Sequence, residues 1–192
     1  MHEVYPIPIQ LPRAGAILDA YEAATSRLDV AEFSPKPVTA DVKLKVIDAA
    51  RLTGSGMNYQ HWKFILVQGR DRLKTLANDS TTGKWVEGAN FAVIVLTNPK
   101  YGFHLIDAGR VLQTMQIAAW NFGVASRIYT GLNREAMERD FGLPKDLSPS
   151  VILGFGYPAR KPLGKKNRKP ITEVAYLDRF GNPLDPDKFR QQ

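Results

Sequence analysis

Residues 91–98, FAVIVLTN, constrain the fold more than any other stretch of the chain. An apolar run without alternation reads as a strand buried on both faces, so the sheet that contains it must be covered on both sides. The neighbouring segments supply strands and covers in turn. KFILVQ (63–68), SRIYTG (126–131) and SVILGFGYP (150–158) read as further strands ending at turn residues. AGAILDAYEAATS (14–26) is rich in helix formers, and VTADVKLKVIDAARLT (38–53) sets Val42, Val46, Ile47 and Ala50 at helical spacing behind a Thr39 cap. RDRLKTLA (70–77) reads as a short helix, and NREAMERDFGL (133–143) as an amphipathic one capped by Asn133 and stopped at Gly142. The pattern predicts a single α+β domain over residues 1–192, with an arm at 1–13 and an extension at 171–192 that has little to bury.

Segment 103–122, FHLIDAGRVLQTMQIAAWNF, is the longest helical pattern. Leu105, Ala108, Leu112, Met115, Ala119 and Phe122 form one stripe, while Ile106, Val111 and Ala118 make the far side apolar too. A helix apolar most of the way round is central or lies at an interface, which together with the C-terminal tail predicts a homodimer. Gly109 within it costs about 1 kcal/mol of helix propensity, which predicts close approach of another backbone.

The chain has no cysteine, so disulfides, thiolate metal sites and thiol catalysis are excluded. That composition agrees with a reducing, cytoplasmic setting. The start, MHEVYPIPIQLPRAG, lacks a basic region followed by an apolar core, and no apolar run approaches the ~20 residues of a span, so no membrane association is expected. Of the net charge of +7, six units come from Arg160, Lys161, Lys165, Lys166, Arg168 and Lys169, leaving +1 for the remainder. Charge gathered this tightly marks a local anion site or a solvated basic loop, and no nucleic-acid face is expected. His2, His61 and His104 are the only histidines and none has a ligand partner at metal-binding spacing, so no protein-held metal is expected. TGSGMN precedes a strand, the reverse of a nucleophile elbow, which argues against Ser55 as a nucleophile; neither glycine-rich phosphate fingerprint is present.

What remains is the loop in TGSGMNYQHWKFILV (53–67). Ser55, Asn58 and Gln60 both donate and accept hydrogen bonds, and Gly54 and Gly56 would let a ligand approach the backbone; such a set suits a planar heterocycle, although an ordinary helix-to-strand connection has the same composition. Trp62 reads as core. Arg27, at the end of the first helix, and Lys166 and Arg168, in the basic loop, are cations that could converge on one phosphate. A heterocycle site with a phosphate site describes a nucleotide cofactor, and with no metal or nucleophile the cofactor would carry the chemistry.

These residues, in this order, resemble the FMN-dependent nitroreductase family. RLDVAEF (27–33) followed by PKPV is similar to the family's RRSxRxF motif, and TGSGMNYQHW (53–62) to APSxxNxQPW. DAGRVLQTMQIAAWNFGVAS resembles its central helix and following strand, GYP (156–158) its GYP, and KNRKP (166–170) its KxRxP, so the likeness spans roughly residues 14–180. The resemblance implies a central mixed or antiparallel sheet flanked by helices, in a homodimer whose C-terminal tail extends onto the partner. It implies an NAD(P)H-dependent oxidoreductase that takes hydride from NADH or NADPH onto FMN and reduces a small-molecule acceptor, nitroaromatic or quinone, by a ping-pong mechanism. It places Arg27, Leu28 and Asp29 in the cofactor site, with Arg27, Lys166 and Arg168 gripping the phosphate. Ser55, Asn58 and Gln60, with Gly54 and Gly56, would line the ring or ribityl chain from the second subunit, and amides near Thr130 and Gly131 would meet the flavin near its reactive nitrogen. Lys84 lies near a family lysine at the ring's carbonyl edge. No catalytic acid or base is assigned.

The departures are specific. Leu28 and Ala31 replace basic positions, and Asp29 replaces a small hydroxyl; a carboxylate beside a phosphate is repulsive, so Asp29 must point elsewhere or pair with a cation. Enzymes that fragment reduced FMN to make 5,6-dimethylbenzimidazole carry aspartate there and are the alternative within the family. Gly54 and His61 stand where prolines are usual, which would loosen the loop. From another class, the alternative is a nucleotide or nucleic-acid binding protein that uses the 160–169 loop without turnover.

Overall fold

The computed structural model describes residues 18–162 and 166–191. The 1–13 arm, the start of the first expected helix and Lys165 lie outside them. Contacts divide the described residues into two compact units, one ending at Pro162 and one comprising the remainder.

In the larger unit the order is α1 (Ala20–Ser26), α2 (Ala40–Arg51), β1 (Lys63–Gln68), α3 (Arg70–Asn78), β2 (Phe91–Thr97), α4 (His104–Asn121), β3 (Ala125–Tyr129), α5 (Arg134–Phe141) and β4 (Ser148–Gly156). The four strands form one sheet in the order β1-β2-β4-β3, and every pairing is antiparallel. Every residue of β2 is buried, and the faces sort by parity. Phe91, Val93 and Val95 pack with Val151, Leu153 and Phe155 of β4 against α2 and α4. Ala92, Ile94 and Leu96 pack with Ile152 against Leu73, Leu76 and Ala77 of α3 and Met137 of α5. The result is three layers. Each fully buried large aliphatic contributes about 1.5–3 kcal/mol, and a one-residue slip of β2 would exchange its two faces, so the register is strongly specified.

Local signals set the helix ends. Thr39 Oγ1 accepts the Val42 N–H at 3.4 Å, and Asn133 Oδ1 accepts the Ala136 N–H at 3.1 Å. Gly142 ends α5 in the left-handed region, at φ 64°. The first helix begins at Ala20, with Asp19 as its cap.

Helix α4 corrects the expected stripe. Its buried residues are Asp107, Ala108, Val111, Met115, Gln116, Ala119 and Trp120. Leu105, placed on that stripe by spacing, is 61% exposed, whereas Val111, placed opposite, is fully buried. Gly109 also differs from expectation, since a Cβ there would have nothing within 4 Å among the described residues.

The smaller unit holds two single-turn helices, α6 (Ile171–Val174) and α7 (Pro186–Phe189). A bridge between Tyr176 and Pro183 folds the segment between them back on itself. Phe180 rests on Tyr176 with ring centroids 4.6 Å apart and is otherwise exposed. Among the described residues no helix is long and apolar enough to cross a membrane.

Candidate functional site

The loop between α2 and β1 is held in an uncommon backbone conformation. Met57, Asn58 and Gln60 all have positive φ, at 52°, 55° and 48°. For non-glycine residues this costs on the order of 1–3 kcal/mol each, and it persists only where surrounding bonds over-determine it. Those bonds are present. Ser55 Oγ accepts the Gln60 N–H at 2.9 Å, and the Ser55 carbonyl accepts the Asn58 N–H at 3.0 Å. The Gly56 N–H donates to both carboxylate oxygens of Asp107, at 3.2 and 3.0 Å.

Asp107 is the buried anchor of this loop, with 1% exposure. Its Oδ2 also meets His61 Nε2 at 3.1 Å, and Arg110 Nη1 donates to Oδ1 at 3.3 Å. His61 Nδ1 accepts the Asn98 N–H at 3.3 Å. That bond requires a bare Nδ1, so Nε2 carries the hydrogen and donates it to Asp107. His61 therefore ties the loop down where the sequence reading expected it to loosen it. Neither His61 nor Asp107 was a sequence candidate; the available signal was an acid set among the buried positions of an apolar helix.

The two glycines of the loop make room for neighbouring side chains. A Cβ at Gly54 would lie 2.6 Å from Arg110 Nη2, and one at Gly56 would lie 2.5 Å from the Phe103 ring. The space they leave is filled by side chains of the chain itself. Ser55 is half-buried, while Asn58 and Gln60 are exposed. Trp62 is core, as expected. Tyr59 stacks on Tyr101, with centroids 4.7 Å apart, and Tyr101 stacks on Phe103 at 5.7 Å.

The first motif lies beside the other part of α4. Arg27 caps the end of α1, and its Nη1 donates to Asp29 Oδ1 at 2.6 Å. Asp29 thus pairs with a cation, one of the two arrangements its charge allowed. The Arg27 side chain is 17% exposed and that of Asp29 52%, and Arg27 Nε is buried with no hydrogen-bond partner among the described residues. Gln116, buried on α4, donates to Asp29 Oδ1 at 3.2 Å and to Ser126 Oγ at 3.1 Å. The Val30 N–H to Ser126 carbonyl bond, at 3.0 Å, fixes the backbone next to Asp29. Trp120 Nε1 donates to Ser26 Oγ at 2.9 Å one turn further along α4. Leu28 is half-buried and offers no polar side-chain group.

At the end of β3, Thr130 is exposed and Gly131 half-buried. The Gly131 carbonyl accepts the Thr81 N–H at 2.9 Å, and a Cβ at Gly131 would strike the hydroxyls of Thr81 and Thr82. Beneath this turn lie Asp79 and Tyr129, each 5% exposed. Burial, then the charge of Asp140, raises the Asp79 carboxyl above the ordinary carboxylate range, with Arg139 and Arg72 opposing. Burial, then the charge of Asp79, pushes the Tyr129 phenol above its usual range. Asp79 Oδ2 and the Tyr129 hydroxyl have no hydrogen-bond partner among the described residues. Lys84 is exposed at the start of the short turn Lys84–Gly88.

Lys166 and Arg168 belong to the smaller unit, where Arg168 Nη1 donates to the Asn167 carbonyl at 2.8 Å. Among the described residues no group of three or more His, Cys, Asp or Glu is placed to hold a metal ion.

Comparison with known proteins follows the same outline. A model described as "Nitroreductase family" matches residues 24–98 and 79–157. A Methanothermobacter thermautotrophicus protein called "Putative NADH dehydrogenase/NAD(P)H nitroreductase" is 27% identical over 154 residues, covering 76% of this chain and 80% of its own. An Archaeoglobus fulgidus protein of the same name is 25% identical over 177 residues, covering 87% and 94%. Among solved structures, an FMN-dependent nitroreductase from Clostridium difficile R20291 matches with a TM-score of 0.76 at 18% identity, over 82% of this chain and 98% of that one. A nitroreductase family protein from Clostridium difficile 630 gives a TM-score of 0.75 at 24% identity, over 85% and 100%. At these identities the two structures speak for the fold alone.

Proposed function

Because the chain belongs to the nitroreductase family, we propose that it is an FMN-dependent oxidoreductase that draws hydride from NADH or NADPH and reduces a small-molecule acceptor, nitroaromatic or quinone, in the same pocket. The observation that carries this reading is the strained 54–60 loop. Three left-handed residues, held from beneath by buried Asp107, keep the side-chain amides of Asn58 and Gln60 at the surface. Strain maintained by a buried anchor is a feature of binding sites.

The donor set fits FMN. Asn58 and Gln60 supply amide donors and acceptors for the edge of a heterocycle, and the Ser55 hydroxyl still has its hydrogen to donate after accepting from Gln60. Arg27 supplies a cation for the phosphate, its Nε buried and without a hydrogen-bond partner among the described residues, and Lys166 and Arg168 of the smaller unit are further cations. In this reading the backbone amides near Thr130 and Gly131 would meet the ring, and the tight packing of Gly131 on Thr81 and Thr82 holds that turn in place. FMN, when bound, accepts and returns the hydride. The chain orients it and supplies hydrogen bonds to its edge.

A second copy of the chain belongs to this reading. Leu105 and Ile106 on α4 and Leu44 and Leu52 on α2 are each more than 60% exposed, and the Cβ direction of Gly109 is open. An apolar face of this kind suits an isologous partner.

The test is optical. Protein purified with FMN should be yellow and should bleach on addition of NADH or NADPH without oxygen. A protein that stays colourless in the presence of excess FMN overturns the proposal and leaves a binding role for the basic loop.

A further inference from the structure

We propose that Asp29 sets how strongly the site prefers a phosphorylated flavin over its unphosphorylated parent, riboflavin, by occupying the Arg27 guanidinium from within the chain. The proposal rests on the reading that Arg27 faces the FMN phosphate. The Arg27 Nη1 to Asp29 Oδ1 distance of 2.6 Å is that of a charge-assisted bond. Asp29 is not free to swing away. Gln116, 2% exposed, holds the same Oδ1, and the backbones of Asp29 and Ser126 are joined by a parallel bridge.

A phosphate reaching Arg27 therefore meets a neutral pair. The rest of the motif does not restore the charge. Leu28 has none, and Glu32, the only other ionisable residue in RLDVAEF, adds a second acid that lies 3.6 Å from Arg160. The first motif has one cation against two carboxylates, so the motif itself adds no net pull on a phosphate. Riboflavin shares the ring and ribityl chain but has no phosphate, so Asp29 leaves it untouched. The residue acts on the difference between the two ligands.

Asp29→Asn isolates the charge, because the amide oxygen can still accept from Arg27 and Gln116. Dissociation constants for FMN and for riboflavin are measured by quenching of flavin fluorescence, at low salt and neutral pH, for wild type and variant. A like charge within a few ångströms, discounted for the half-exposed position of Asp29, predicts that FMN tightens about tenfold while riboflavin changes by less than about twofold. The gain should shrink as salt is raised. Asp29→Ser, a smaller side chain without charge, should move in the same direction if the asparagine variant is poorly folded.

Unchanged or weakened FMN binding in both variants, with wild type binding FMN normally, overturns the proposal and makes Asp29 a holder of Arg27. Equal weakening of both flavins also overturns it, since the residue would then touch the shared part. Wild type that binds neither flavin refutes the FMN reading itself, and the proposal with it.

Discussion

Replacement of Asp107 by asparagine tests whether the loop is anchored as described. The carboxylate accepts from the Gly56 N–H, His61 Nε2 and Arg110 Nη1. Asparagine keeps one acceptor oxygen without the charge and puts an NH2 group where the other stood, so the NH2 faces Arg110 Nη1 in one orientation and His61 in the other, with the Gly56 N–H within 3.2 Å of it in both. His61 cannot adapt by changing tautomer, because a hydrogen on Nδ1 would then face the Asn98 N–H. A buried bond to a charged group is worth about 1.5–3 kcal/mol. Arg110, 49% exposed, contributes no more than roughly 1 kcal/mol. The expected loss is therefore about 2–3 kcal/mol, a fall in Tm on the order of 5–10 °C for a chain of this size. Urea titration at fixed protein concentration reads it as a lower midpoint with an unchanged slope. Flavin affinity should fall as well, because the loop is released to relax its left-handed residues. Asp107→Asn combined with His61→Ala should cost less than the sum of the two single changes, since they remove the same bond. A variant within about 0.5 kcal/mol of wild type that retains its flavin affinity would refute the anchor.

Asp79→Asn should make the protein more stable than wild type at neutral pH, with the difference disappearing in acid. The raised pKa means that the folded state holds this proton more tightly, so wild type loses stability as pH rises from the ordinary carboxylate range through the folded value; a pH-independent difference in denaturation midpoint refutes this. Gly56→Ala places a methyl group against the Phe103 ring and should weaken flavin binding, with Phe103→Leu in the same chain restoring part of it; equal binding by all three proteins would show that the contact does not matter. Alanine at both Lys166 and Arg168 should weaken FMN retention, and the defect relative to wild type should narrow as salt screens the lost charges. Unchanged FMN retention across the salt series would remove the basic loop from the site.

How much of this was legible in the sequence follows from the range over which each signal acts. The caps at Thr39 and Asn133, the stop at Gly142 and the doubly buried β2 are encoded within a few residues, and all four are found as read. The buried face of α4 was not legible, because a helix with apolar residues on several sides does not say which side meets the sheet; Leu105 and Val111 changed places for that reason. The polar contacts were out of reach of any local pattern. His61 and Asp107 are 46 positions apart, and Asp29 and Gln116 are 87 apart. In the sequence, His61 and Asp29 look like two unrelated departures from the motifs they occupy. In the structure each is met by a buried polar residue of α4, Asp107 at one end and Gln116 about 14 Å further along the axis. The helix thus sets the shape of the loop on one side and the charge of Arg27 on the other. The departures at 29 and 61 belong to one arrangement, and substitutions at either position carry their consequence into α4.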